Sequence, residues 1–162
     1  MSQRTNALAK AMEDGARALA AFANKLSDEE WQMRPLPHDN RKVGVIVHHV
    51  AIVYPLEVEF ARSVAKRDAA GITAQDVNDM NAGHAQQNEQ VTKEETLSLL
   101  AVNSAKAADA IRSFKDEELD TSAPVPLYGN AVLTCQFILE DHAVRHSYHH
   151  LARLQAALKA RE

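Results

Sequence analysis

Apolar residues recur at three- and four-residue intervals along most of the chain, which is the pattern of amphipathic helices. The first such stretch runs from about Thr5 to Lys25, and the second runs from Arg41 toward Ala69. A shorter helix is predicted near residues 74–88, a longer one near 93–114, and a last long helix from Ala131 to about Lys159. The pattern therefore predicts four long helices and one short one.

Capping signals mark several of the helix starts. A Ser or Thr followed three residues later by Asp or Glu has the spacing of an N-terminal capping box, and it occurs at Ser27, Thr73 and Thr92. The signal at Ser27 predicts a short turn that carries Trp31. The other two signals begin the helices near 74–88 and 93–114.

Proline and glycine predict the breaks between helices. Pro35 and Pro37 end the short turn after Trp31, because proline stops helical continuation. Pro55 lies inside the second helix and is expected to bend it, and Gly71 is expected to close that helix. Residues 115–130 contain two prolines and a glycine and are predicted to form a surface crossover.

The predicted fold is all-α. Runs of alternating Val, Ile and Thr bounded by tight hairpin turns are not evident, which argues against a sheet. A chain of 162 residues is long enough to bury one core without cross-links, so residues 1–162 are expected to form a single domain. We therefore expect an antiparallel four-helix bundle with an extra short helix.

Composition narrows the range of partners. With 18 Lys and Arg against 22 Asp and Glu, the net charge of −4 offers no basic surface for nucleic acid or an anionic membrane. The single cysteine, Cys135, excludes an internal disulfide and fits a reducing compartment. The N-terminal residues lack an apolar signal region, and no later segment is expected to approach the length needed to cross a bilayer. We expect a cytoplasmic protein.

Histidines are clustered rather than scattered. Two are adjacent within the apolar sequence VIVHHVA, at His48 and His49. In the last predicted helix, His142, His146 and His150 follow one another at four-residue steps and therefore share one stripe. Two successive imidazoles on a helix can bind one metal ion, and a third from another helix leaves open positions, as in catalytic metal sites. The spacing allows two pairs equally, His142 with His146 or His146 with His150. Either His48 or His49 can supply the third ligand.

Other metalloprotein signatures are missing from the sequence. Di-iron carboxylate bundles need Glu-x-x-His, and no Glu here has a His three positions later. Neither His-Glu-x-x-His nor the haem-attachment pattern Cys-x-x-Cys-His occurs. Of the metal sites considered, only a three-histidine site is therefore compatible with the motifs in this sequence.

Three segments resemble the DinB/YfiT-like family of metalloproteins. HAVRHSYHHLARLQAAL is similar to the family's last-helix signature, VGVIVHHVA to its second-helix signature, and LSDEEWQMRPLPHDNRKVG to the link between its first two helices. The resemblance implies a metal site formed by His49, His146 and His150, with His48 and His149 as neighbours of the ligands. It assigns no role to His142.

The same resemblance implies the activity classes. Family members include transferases and isomerases that use bacillithiol, mycothiol or glutathione, and metal-dependent hydrolases. We therefore expect a hydrolase or thiol-dependent transferase that acts on a small molecule, binds a divalent ion, Zn²⁺ or Ni²⁺, and forms a homodimer. Since the chain has one Cys and no Gly-x-Ser-x-Gly elbow, the ion is expected to activate the nucleophile. The alternative is a non-catalytic dimeric bundle with a structural or vestigial histidine cluster.

For several residues near these histidines, the sequence allows either a role at the site or a structural role. Asn81 and His84 share one face of the short helix and either cover the site's mouth or belong to a solvated surface. Cys135 is expected to be a small buried apolar residue rather than a group in a substrate channel.

The remaining polar residues near the predicted metal site are expected to have packing or surface roles. Tyr148 and Arg145 flank the ligands and are expected to pack or lie at the surface rather than bind substrate. Glu57 and Glu59 are expected at the surface, although one of them is also placed to orient a ligand through its second ring nitrogen.

Overall fold

Four long helices form the framework of the structure, a computed structural model that describes residues 2–68 and 71–160. The first three are α1 (Gln3–Lys25), α3 (Val43–Ala65) and α5 (Lys93–Arg112). The fourth is a continuous helical stretch made of α7 (Cys135–Ile138), a π-helical segment (Leu139–Val144) and α8 (Arg145–Lys159). The shorter elements are α2 (Asp28–Gln32), α4 (Ala74–Gln87), α6 (Asp116–Asp120), β1 (Ser122–Val125), a 3-10 turn (Pro126–Tyr128) and β2 (Ala131–Thr134). The expected helical bundle is confirmed.

The three predicted capping signals are all used. The side chains of Ser27, Thr73 and Thr92 each accept a hydrogen bond from the backbone N–H three residues later. The helices that follow begin where the sequence predicted, and α4 and α5 end one and two residues earlier than expected. Local capping chemistry therefore decides these starts.

The end predicted for the second helix is wrong. Gly71 was expected to close it, but α3 ends at Ala65, and Arg67 takes the left-handed conformation with φ 57°. Gly71 lies beyond this turn and does not have a positive φ. Ala69, the predicted end of the helix, lies outside the described residues.

The order in which the helices pack differs from a simple up-and-down bundle. α1 packs against α5 and α8, whereas α3 packs against α5 and the stretch from α7 to α8. The consecutive long helices α1 and α3 therefore lie on opposite sides of the bundle, with α5 and α8 between them. This order places α3 directly beside α8.

The helix α3 is the core of the bundle. Fifteen of its 23 residues are buried. No segment was expected to approach the length needed to cross a bilayer, and this expectation is wrong for α3, which is long and apolar enough by length and composition alone. Of an apolar 18-residue stretch of this helix, 72% is buried inside the protein, so its apolar side chains belong to the bundle core.

Pro55 is accommodated inside α3 by a neighbouring helix. Proline has no N–H, so the carbonyl of Ala51, four residues earlier, loses its usual partner. The side-chain amide of Asn103 on α5 donates to that carbonyl at 2.9 Å. The hydrogen bond restores the missing interaction and ties α5 to α3.

A small hairpin precedes the last helix and corrects two expectations. β1 and β2 pair antiparallel, with Ser122 opposite Thr134 and Val125 opposite Ala131. Gly129 and Asn130, with φ 64° and 65°, both adopt the left-handed conformation in the connecting turn. The sheet was not expected, and the last helix begins at Cys135 rather than at Ala131 because residues 131–134 form a strand.

The close approach of Trp31 to Gly44 yields a test of this packing. A Cβ at position 44 would lie within 2.9 Å of three atoms of the Trp31 indole, whose Nε1 donates to the carbonyl of Val91 at 3.0 Å. Gly44→Ala should therefore lower the free energy of unfolding by about 1–3 kcal/mol, measured by urea denaturation.

Gly83→Ala is the matched control, because Gly83 lies inside α4 and a Cβ there would meet no other element of the described chain within 4 Å. That substitution should raise the free energy of unfolding by up to about 1 kcal/mol. Equal effects of the two substitutions would contradict the described packing of Trp31.

Candidate metal centre

Three histidines from two helices meet inside the bundle. α3 supplies His49, and α8 supplies His146 and His150. One ring nitrogen from each lies within 4.8 Å of the other two, and the Nε2 atoms of His49 and His146 are 3.1 Å apart. His49 and His150 are buried, at 5% and 6% exposed, and His146 is partly buried. The structure thus brings together the three residues implied by the family resemblance.

The π-helical segment separates His142 from this cluster. In a regular α-helix, residues four apart share a face, but a π-helical turn changes the phase of the side chains that follow it. His142 lies in the segment Leu139–Val144, and its ring contacts are with Phe60 and Tyr128. Of the two equally spaced pairs, 146/150 is therefore the one that faces His49.

Burial keeps the imidazoles of His49 and His150 neutral. Burial, followed by the proximity of His146, lowers the pKa of His49 to about 3. Burial likewise lowers the pKa of His150, and His146 and His49 lower it further. A neutral imidazole has one ring nitrogen with a free lone pair, which is the form that binds a metal ion.

Glu57 orients His146, which corrects the expectation of a surface position. Its side chain is buried, and its Oε1 contacts Nδ1 of His146. A carboxylate at Nδ1 holds the proton there and leaves the lone pair on Nε2, the atom that faces His49. Glu59, two residues later, is 71% exposed as expected. The only sequence signal for Glu57 was its place about two turns after His49.

The donor set fits a divalent ion that prefers nitrogen ligands. Two imidazole nitrogens bound to one tetrahedral zinc at about 2.0–2.1 Å are about 3.3 Å apart, close to the separation of His49 and His146. Nδ1 of His150 is buried without a hydrogen-bond partner among the described residues. Because the largest separation reaches 4.8 Å, the third imidazole has to move closer when an ion binds.

The short helix α4 lies over the cluster. His84 is its buried residue, and its Nε2 lies 2.8 Å from Nδ1 of His48, with the two rings stacked. The His84 ring also meets His49 edge-on at 5.7 Å. Asn81 lines the cavity beside His49. Both residues therefore lie at the site, in agreement with the first of their two readings.

Two cavities of different character flank the cluster. The first, of about 210 Å³, is mainly apolar, and the second, of about 200 Å³, is called the polar cavity because polar and charged side chains line it. His142 and His146 line both cavities. The apolar cavity is lined by His49, Val53, Leu56, Glu57, Phe60, Ile72, Val77, Met80, Asn81, Leu127, His142 and His146. The polar cavity is lined by Asp141, His142, Arg145, His146, His149 and His150.

The remaining candidates divide between packing and the site. Tyr148 donates to the carbonyl of Ala11 at 3.1 Å and so joins α8 to α1. Arg145 pairs with Asp141 and lines the polar cavity, so it lies nearer the site than expected. Cys135 is buried, and burial raises the pKa of its thiol to about 12, which agrees with a packing role.

Comparison with known proteins supports the fold and the family. The solved structure of YfiT from Bacillus subtilis, described as a probable metal-dependent hydrolase with an unusual four-helix bundle topology, is similar with a TM-score of 0.78 and 16% identity. The similarity covers 99% of this chain and 89% of that chain. No curated protein matches the chain. The family model of the DinB superfamily matches residues 11–154, which confirms the family that the sequence resembled. The chain belongs to the DinB superfamily.

Proposed function

We propose that the protein is a metal-dependent enzyme that acts on a small molecule. His49, His146 and His150 bind one divalent ion, and the substrate occupies the cavities beside them. The observation that carries the proposal is the convergence of three imidazoles next to an apolar cavity of about 210 Å³. A structural histidine cluster, the alternative, is expected to be fully packed and to have no cavity beside it.

Zn²⁺ and Ni²⁺ are the proposed ions. Imidazole ligands suit both metals, and the Irving–Williams order favours them over Mn²⁺. When bound, such an ion polarises a carbonyl group and lowers the pKa of a coordinated water or thiol. The protein's own part is to keep the buried imidazoles of His49 and His150 neutral and to hold His146 through Glu57.

The cavities support a substrate with an apolar part. Leu56, Phe60 and Met80 are among the side chains that surround the apolar cavity, which suits a hydrocarbon or aromatic group. Hydrolysis of an ester or amide is the reaction we propose first, with water in the polar cavity. Thiol transfer is the second candidate, because Arg145 gives the polar cavity a cationic group for an anionic low-molecular-weight thiol.

Metal analysis tests the ligand assignment. Protein purified without a histidine tag should bind one equivalent of Zn²⁺ or Ni²⁺, measured by elemental analysis after reconstitution and by calorimetry. His150→Ala should abolish tight binding because it removes one of the three donors, whereas His149→Ala should change the affinity little. Equal losses in both variants would show that the ligand register is wrong.

A carboxylate variant tests the orientation of His146. Glu57→Gln should weaken metal binding by about 10–100-fold, because the amide supports the required tautomer less well. Glu59→Gln is the matched control on the same helix, and its affinity should stay within about twofold because its side chain is 71% exposed. An unchanged affinity in Glu57→Gln, with the fold intact by circular dichroism, would remove Glu57 from the site.

A substrate screen tests the activity itself. The metal-loaded protein should hydrolyse p-nitrophenyl butyrate, or transfer glutathione to 1-chloro-2,4-dinitrobenzene. Either activity should vanish with a chelator and return with added metal. Cys135→Ala should retain it, because the thiol is buried and does not line either cavity beside the cluster. Activity that resists the chelator, or that disappears in Cys135→Ala with metal still bound, would contradict the proposal.

A further inference from the structure

A chain of hydrogen bonds runs from the surface of the last helix to His142. The hydroxyl of Tyr128, in the turn of the hairpin, donates to Oδ2 of Asp141 and lies 3.0 Å from Nε2 of His142. Arg145 donates to the other oxygen of Asp141. The hairpin and the π-helical segment are therefore joined at this point, beside both cavities.

The protons of this chain have one consistent arrangement. Burial raises the pKa of Asp141, but the hydrogen bonds from Tyr128 and Arg145 lower it by more, so the carboxylate is ionised. Burial and Asp141 raise the pKa of Tyr128, which therefore keeps its single proton and gives it to Asp141. The phenol oxygen can then only accept from His142. His142 thus carries its proton on Nε2, and Nδ1 has a free lone pair.

That lone pair belongs to a histidine outside the metal cluster. Nδ1 of His142 has no hydrogen-bond partner within residues 2–68 and 71–160, and it is not among the buried unpartnered atoms of that part of the chain. Its ring contacts are with Phe60 and Tyr128, not with the three clustered histidines. Because His142 lines both cavities, a group bound in either one lies next to it.

We propose that His142 is the general base and general acid of the reaction, positioned by Tyr128 and Asp141. In the hydrolysis that we propose first, Nδ1 takes one proton from water as its oxygen forms a bond to the substrate carbonyl carbon. The imidazolium then returns that proton to the departing oxygen or nitrogen as the bond from carbon to the leaving group breaks. The proposal rests on the proposed function, since it assigns the proton transfers of the same site.

The other histidines near the site either have another partner or lack a group that orients the ring. His48 and His84 form a hydrogen bond with each other. His149 lines the polar cavity but not the apolar one, and no carboxylate or phenol orients its ring in the described part of the chain. Glu57 holds His146. Apart from the proposed metal ligand His146, His142 is the one histidine of the described chain that combines an oriented tautomer with access to both cavities.

The proton arrangement can be measured without any substrate. Two-bond ¹H–¹⁵N correlation spectra of metal-free, ¹⁵N-histidine-labelled protein report which ring nitrogen carries the proton, and His142→Gln identifies the ring by the signals it removes. We expect His142 to be protonated at Nε2 at neutral pH, and Tyr128→Phe to change its signals. A His142 protonated at Nδ1 would overturn the proposal whatever the activity.

Kinetics of the zinc-loaded protein with p-nitrophenyl butyrate test the chemical role. His142→Gln should lower kcat by at least about 100-fold, the usual contribution of general acid–base catalysis, with zinc affinity within about twofold of the native value. Tyr128→Phe should lower kcat on the order of tenfold, the value of one hydrogen bond, with KM little changed. His38→Gln, at an exposed loop position, is the control.

Two results with His142→Gln would overturn the assignment of His142 as general acid and base. An unchanged kcat in His142→Gln would mean that another group moves the proton, and a lost zinc affinity would mean that His142 is a ligand. Failure of the native zinc-loaded protein to turn over any probe would count against the proposed function. In that case the spectrum of metal-free protein still decides the tautomer on which the role of His142 depends.

Discussion

The candidate metal centre depends on a contact between two buried polar groups, the carboxylate of Glu57 on α3 and the imidazole of His146 on α8. A buried carboxylate without a partner is strongly destabilising, so this contact holds the two helices together at the depth of the cluster. The same contact keeps the proton of His146 on Nδ1 and directs the lone pair of Nε2 toward His49. One interaction therefore both links the two helices and determines the form of a candidate ligand.

Two departures from regular α-helix lie beside this contact. Pro55 interrupts α3 between His49 and Glu57, and Asn103 completes the hydrogen bonding that the proline removes. The π-helical segment interrupts the last helix before His146, so that His142 turns to Tyr128 rather than to the cluster. Irregular helical turns of this kind are frequent at functional sites, because they alter which side chains share a face.

The surroundings of the cluster divide the space for a reaction into two unlike parts. An apolar cavity beneath α4 and a polar cavity beside Asp141 and Arg145 share His142 and His146 as their common wall. α4 is otherwise mostly exposed and is anchored by the buried ring of His84, which stacks on His48. A substrate with an apolar group and a polar reacting end matches this arrangement better than a uniformly polar molecule.

The sequence by itself determined the existence of the long helices and three of the caps. Periodicity left two histidine pairs open, and the family resemblance in the sequence singled out His49, His146 and His150. Helical periodicity and capping act between residues three or four apart, and His146 and His150 are one turn apart on α8. The tertiary structure alone decided the hairpin of β1 and β2, the π-helical segment and the burial of Glu57. The hairpin depends on the pairing of two strands, and the burial of Glu57 depends on a histidine of another helix. Ala131–Thr134 forms a strand because β1 lies beside it, and Glu57 leaves the surface because His146 reaches it from α8. Local pattern carries no record of such partners, since their free energy comes from groups that meet only after the helices have packed.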